Sequence, residues 1–326
     1  MTTQSAADRP IRVLYAASSA YSGSTLLPFL LNLHPGIAGI GHTEGWEYGE
    51  DEEFHCSCGR TLSECPFFRS VRDAIVASGL PFEFRDFGMQ YRIHRSERIN
   101  RWLTASLPLR SFTAGERVRD RLVRLVPSWA RTLDLQGRTN RAFMRATLDY
   151  HGATVFSDGA QDPFRLRHLR RVPGLDIRVL HLVRDVRGVV FSNIQKKGWS
   201  AEQATRMWLL QQSNIVRIAR EFERTMTVRY ESLCDDTDAT LCAIHRFAGL
   251  DAVHFDGEFK QGEHHVLGND MRLGGSRITR SRRWEREMTA ADRAAVERVC
   301  RAFAERRPAD PVAGLVRHYL DARDEA

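Results

Sequence analysis

Apolar runs of strand length occur at Arg12–Ala17, Ala153–Phe156, Asp176–Leu182 and Thr225–Arg229, each followed by polar turn residues and then by apolar positions at helical spacing. Strand and helix patterns in alternation predict a parallel sheet with crossover helices, because parallel neighbours need a long connection between them. The stretch "HPGIAGIGH" adds a short strand that returns the chain to the sheet. From Phe82 to Thr147 the pattern changes: arginines run through helical periods ("YRIHRSERINRWL", "GERVRDRLVRLV") and no strand signal appears. The expectation is an α/β protein, a parallel β-sheet flanked by helices, which the glycine-and-hydroxyl turn Ser22–Thr25 after its first strand makes P-loop type, with a helical insertion at 82–147. No repeat or low-complexity tract divides the chain, so residues 1–326 are read as one domain.

Composition narrows the partners. The chain is basic, with a net charge of +7, and all but three of its 48 lysines and arginines are arginine. A guanidinium grips phosphate or sulfate through a bidentate fork, so the balance favours an anionic ligand. Nucleic acid is not expected, since helix-turn-helix, zinc-finger and aromatic-basic RNA signatures are missing from the sequence. With no apolar run of about eighteen residues and no signal-peptide pattern in "MTTQSAADRP", no membrane association is expected and the location is read as cytoplasmic.

The stretch "VLYAASSAYSGSTLLPFLLNLHP" reads as strand, glycine-and-hydroxyl turn, and apolar helix. Such a turn gathers backbone N–H donors into an anion site. Ser22, Gly23, Ser24 and Thr25 supply it, with three hydroxyls as further donors. Aligned to the nucleotide triphosphatase pattern G-x4-G-K-[ST], Ser24 stands where the lysine belongs and Thr25 where the hydroxyl residue belongs. A kinase or ATPase is therefore disfavoured, and a less charged terminal group suits the loop better.

The loop "SGSTLLPFLLNLHP" resembles the 5′-phosphosulfate loop of the sulfotransferases that use 3′-phosphoadenosine 5′-phosphosulfate (PAPS), especially the bacterial and tyrosylprotein-type branches. In "VLHLVRDVRGVVFSNIQKKG", Arg184 and Ser192 match the strand-end arginine and helix serine that bind the 3′-phosphate in that family. Arg187 reads as a helix-surface or ion-pairing residue. "VRYESLCDDTDATLCAIHRFAGL" is similar to a further family segment, which places Tyr230 near the nucleotide. "GNDMRLGGSRITRSRRWEREM" is similar to the loop that closes over the 3′-phosphoadenosine, with Arg272 as the candidate ligand and Trp284 as a packing residue. The resemblance implies sulfuryl transfer from PAPS to a hydroxyl or amine of a small-molecule or glycan acceptor, with release of 3′-phosphoadenosine 5′-phosphate (PAP).

The chain departs from the family where charge is needed. Tyr21 stands where members usually carry arginine or lysine before the S-G, and Gln161 in "SDGAQDPFRL" stands for a lysine. Both remain candidates for the catalytic centre as hydrogen-bond donors. Arg165, nearby in sequence, is a candidate for the missing charge, though a solvated helix position is the preferred reading. For the base, "GIGHTEGWEYGE" offers Glu44 and His42, with Glu44 placed slightly ahead. A nucleotide-binding protein of the same fold with weak or no transfer is the alternative. The cluster "HCSCGRTLSEC" could ligate zinc through Cys56, Cys58, Cys65 and His55, or close a disulfide. Its C-x-C spacing is tighter than the usual knuckle, so three lone thiols and no bound metal is the expectation.

Overall fold

The computed structural model describes residues 10–43, 54–105, 113–260 and 263–321. The chain runs β1 (Ile11–Ser18), α1 (Leu26–Leu31), β2 (Ile37–Gly41), α2 (Pro66–Ala77), α3 (Glu97–Thr104), α4 (Thr113–Leu125), α5 (Pro127–His151) and β3 (Val155–Gln161). It continues through α6 (Pro163–Leu169), β4 (Leu175–Val183), α7 (Val186–Lys197), α8 (Ala201–Ala219), β5 (Thr225–Arg229), α9 (Tyr230–Asp235) and α10 (Thr237–Ala248). Three helices follow: α11 (Arg283–Glu287), α12 (Ala290–Arg306) and α13 (Pro311–Asp321).

The five strands form a parallel sheet in the order β2-β3-β1-β4-β5. β1 lies at its centre and is buried on both faces, which is why its sequence is a nearly unbroken apolar run. Successive side chains still alternate. Val13, Tyr15 and Ala17 join a core with α2, α5 and α6, whereas Leu14 and Ala16 join one with α1, α9 and α10. A third core packs α7 and α8 against the C-terminal helices through Trp208, Trp284, Val312 and Tyr319. The arginine-rich middle of the chain contains α3 to α5. Phe143, Met144 and Leu148 of α5 are buried with Val13 and Phe156, so α5 also serves as the crossover from β2 to β3. Its end is set by Gly152 in a left-handed conformation, whose N–H returns to the Leu148 carbonyl.

β3 runs five residues further than its apolar pattern, through Ser157, Asp158, Gly159, Ala160 and Gln161. Polar residues hold this extension because Asp158 is fully buried among partners. Its carboxylate accepts from Arg165 Nη1 at 2.5 Å, from the Ala160 N–H at 3.1 Å and from Thr43 Oγ1 at 3.3 Å. Arg165 also donates to Asn140 Oδ1 at 2.5 Å and to the Met89 carbonyl at 3.3 Å. The expectation of a solvated Arg165 is therefore corrected: only 3% of the residue is exposed. Burial works against its charge, and Asp158 beside it more than restores the charged form. The register of β1 against β3 slips between Tyr15 and Ala17, which leaves Gln161 with a positive φ of 64° at the strand end.

Breaking this pair strands a buried charge. Asp158→Ala should lower the unfolding free energy by about 3–5 kcal/mol in urea titrations, the range for removing one partner of a buried ion pair. A loss below about 1 kcal/mol is the behaviour of a screened surface pair and would contradict the burial described.

Candidate functional site

The β1 loop emerges between β3 and β4, where crossovers leave the sheet in opposite directions and a crevice opens at the carboxyl ends of the strands. Tyr21 (φ 63°) and Gly23 (φ 91°) both adopt left-handed backbone conformations there. Gly23 is required for a second reason. A Cβ at that position would lie 2.7 Å from Cδ2 of Tyr230, so the ring closes directly over the loop. The Leu27 N–H donates to the Gly23 carbonyl at 3.0 Å, and the turn before it leads into the start of α1, where the first N–H groups of a helix find no partner within the helix.

The three loop hydroxyls do different work. Ser22 is fully buried and its Oγ meets Ser19 Oγ at 2.7 Å. Gln212 donates to that Ser19 hydroxyl at 3.4 Å and bonds His181 at 2.6 Å, so a polar chain supports the loop from beneath. Ser22 thus offers a ligand its backbone, not its side chain. Thr25 is buried as well, and its Oγ1 accepts from the Asn269 N–H at 3.3 Å. Ser24 is half-buried and accepts from Gln161 Nε2 at 2.9 Å.

Gln161 connects two sequence-predicted groups. The same amide nitrogen lies 2.8 Å from His42 Nε2. An amide nitrogen only donates, so His42 presents an Nε2 lone pair at this contact, as a neutral imidazole does. His42, Gln161 and Ser18 line a cavity of about 270 Å³ together with Asp162, Phe164 and Asn214. Ser18 Oγ is buried there without a hydrogen-bond partner among the described residues. Glu44 lies outside the described residues.

Arg184 reaches the loop from the end of β4. Its Nη1 donates to the Tyr21 carbonyl at 2.8 Å, its Nη2 to the Ser281 carbonyl at 3.2 Å, and its guanidinium lies 4.4 Å from the centre of the Tyr230 ring. It folds back on α7, where a Cβ at Gly188 would sit 3.0 Å from Arg184 Nε. Ser192, one turn further along α7, donates to the Gly188 carbonyl at 2.9 Å. Loop, Arg184, Ser192 and Tyr230 therefore share one edge of the crevice. Arg272 bonds the carbonyls of His55 and Gly268 and stacks on Phe54, and Gly268 itself packs against Thr25 of the loop. Arg187 is paired with Asp185 at 2.7 Å and covers Trp284, which is buried in the third core.

Other groups near these residues escaped the sequence patterns. Ser281 closes onto both Arg184 and Tyr230, its N–H lying 3.2 Å from the Tyr230 hydroxyl. Lys197 places its ammonium 5.8 Å from the Tyr21 ring, bringing a cation to the loop that linear distance concealed. In the cysteine cluster, the histidine beside the thiols is His265 rather than His55. The Cys56 thiol, hydrogen-bonded to Cys65, is pushed up, and the same bond holds the Cys65 sulfur down at about 4.

The fit of Tyr230 over the loop is testable without a ligand. Gly23→Ala should cost about 1–3 kcal/mol from backbone strain and overlap with the ring. In a Tyr230→Ala background the overlap disappears, and the cost measured by thermal unfolding should shrink. Equal costs in both backgrounds would mean the ring does not close on Gly23.

The sequence matches no family model and no curated protein. Among solved structures, the chain is similar to the sulfotransferase domain of a Synechococcus olefin synthase, at 19% identity and a TM-score of 0.49 over 91% of this chain and 96% of that one. The sulfotransferase domain from the curacin biosynthetic pathway is similar at 14% identity and a TM-score of 0.43, over 89% of this chain and 97% of that one. A sulfotransferase from Mycobacterium tuberculosis is similar at 17% identity and a TM-score of 0.38, over 74% and 68% of the two chains. All three neighbours are sulfotransferases or sulfotransferase domains.

Proposed function

We propose that the chain transfers a sulfuryl group from PAPS to a hydroxyl or amine of a small-molecule or glycan acceptor and releases PAP. The observation that carries this reading is the convergence of Arg184 on the Ser22–Thr25 loop beside Tyr230, with Ser192 one turn away. One anion site lies in the loop and a second beside it, as a nucleotide with separate 5′ and 3′ anionic groups requires. Arg184 spends single bonds from Nη1 and Nη2 on carbonyls, and a guanidinium has five N–H donors. The remainder serve a 3′-phosphate, while the loop N–H groups and the Ser24 hydroxyl serve the phosphosulfate.

In this reading the acceptor enters the cavity beside His42 and Gln161. Its oxygen or nitrogen attacks sulfur in line, the bond from sulfur to the bridging phosphate oxygen breaks, and His42 Nε2 takes the acceptor's proton. Gln161 currently donates to that lone pair, so the acceptor's donor group replaces the amide. Charge developing on the sulfonate meets N–H and O–H dipoles from the loop, Ser24 and Gln161, with Lys197 as the neighbouring cation. One observation favours the alternative of nucleotide binding with little transfer: Arg165 is committed to Asp158 and supplies no charge to the sulfonate.

PAP should raise the melting temperature well above any effect of ATP at matched concentration, since ATP has no 3′-phosphate. Equal stabilisation by the two would end the assignment of Arg184 and Ser192. Arg184→Ala should weaken PAP binding by about 1.5–3 kcal/mol, the value of a charge-assisted hydrogen bond, measured by calorimetry.

Transfer itself is read from radiolabelled PAPS with a panel of alcohols, phenols, amines and sugars. His42→Ala should remove acceptor-dependent PAP release and leave PAP affinity unchanged. Should Gln161→Lys raise turnover, the native site is short of charge. If no acceptor releases PAP from a protein that binds it tightly, the binding-only reading holds.

A further inference from the structure

We propose that Cys56, Cys58, Cys65 and His265 form a structural zinc site. One ligand atom from each of the four lies within 4.8 Å of the other three. The Cys58 and Cys65 sulfurs are 3.7 Å apart, and His265 Nδ1 is 3.2 Å from Cys65 Sγ and 3.5 Å from Cys56 Sγ. Tetrahedral zinc with bonds of about 2.3 Å to sulfur and about 2.0–2.1 Å to nitrogen requires ligand edges of about 3.8 Å between sulfurs and about 3.5 Å between sulfur and nitrogen. A disulfide would bring two sulfurs to about 2.05 Å, and all three cysteines are free.

The surroundings are those of a metal ligand set. His265 turns Nδ1 to the sulfurs, while its Nε2 meets Glu263 Oε1 at 2.7 Å, an arrangement that fixes the ring and its tautomer. Tyr150 donates to the same carboxylate oxygen at 2.8 Å. The ring also lies flat on Phe67, with centroids 4.8 Å apart. Cys56, Cys65 and His265 are buried, and all four tetrahedral positions come from protein, so the site is closed to substrate. The tight C-x-C spacing argues against a knuckle built from this loop alone, yet the fourth ligand lies 200 residues beyond Cys65.

The position explains what the ion would do. Ser57, between two of the ligands, accepts from the Val266 N–H at 2.8 Å, and Leu267 then donates to the Ile40 carbonyl of β2 at 2.7 Å. Two residues on, the Asn269 N–H reaches Thr25. Zinc would fasten the 54–65 loop to the strap that pins both the strand end before His42 and the β1 loop.

The test is made on the full chain, purified under reducing conditions without chelator, by elemental analysis. About one zinc per chain is expected. Exchange with cobalt should give a thiolate-to-metal charge-transfer band and tetrahedral d–d bands in the wild-type protein. Cys65→Ser and His265→Gln should lower zinc affinity at least tenfold, and Glu263→Gln by about 10- to 100-fold, whereas Cys242→Ser and Cys300→Ser should retain the metal. Zinc content below about 0.2 per chain from zinc-supplemented cultures overturns the proposal. So does a cobalt spectrum without the thiolate band, or a Cys56–Cys65 disulfide in freshly isolated protein. The cobalt measurement needs no variant, so it decides the matter even if the substituted chains fail to fold.

Discussion

The buried pair of Asp158 and Arg165 is the interaction on which the His42 and Gln161 side of the crevice depends. A charged pair inside a protein tolerates little displacement, because each hydrogen bond lost leaves charge in a poor solvent. Asp158 is bound by a backbone N–H of its own strand, by Thr43 just after β2, and by Arg165 of α6. It therefore fixes the end of β3, the end of β2 and the start of α6 relative to one another. His42 precedes Thr43 and Gln161 follows Ala160, so both inherit their positions from this carboxylate.

A different constraint, exclusion of volume, organises the other side. The Tyr230 ring occupies the space a side chain at position 23 would need, and the Arg184 guanidinium lies on that ring. Left-handed backbone at Tyr21 and Gln161 adds strain of order 1–3 kcal/mol at each residue. Both are maintained by neighbours: Arg184 holds the Tyr21 carbonyl, and the Gln161 side chain is held between His42 and Ser24. The two positions that depart from the sulfotransferase pattern are thus the two non-glycine residues with positive φ among the described residues.

The sheet and the nearness of Arg184 to the β1 loop were legible because they are written in local patterns. Apolar runs mark strands, and Arg184 and Ser192 fall on one strand-helix unit whose geometry follows from spacing. What escaped depends on contacts across the fold. Arg165 reads as a solvated helix residue until Asp158 and Asn140 are brought to it, and the same burial hid the polar half of β3. Ser22 reads as a ligand hydroxyl until Ser19 and Gln212 are seen beneath it. His265 shares no sequence neighbourhood with Cys56, so no spacing rule connects them.

The strand order also governs when the site can exist on a growing chain. β1 is made first, yet its ladder partners are β3 and β4, and β2 pairs only with β3. During synthesis from the N-terminus, the first strand and its loop have no sheet neighbour until residue 155 has emerged. Tyr230 then covers Gly23, and Ser281 completes the grip on Arg184 and Tyr230 later still. A ribosome-bound chain that ends before the C-terminal strap carries every residue of the loop and the Tyr230 ring but lacks the Asn269 and Ser281 contacts, so the finished edge of the crevice belongs to the complete fold.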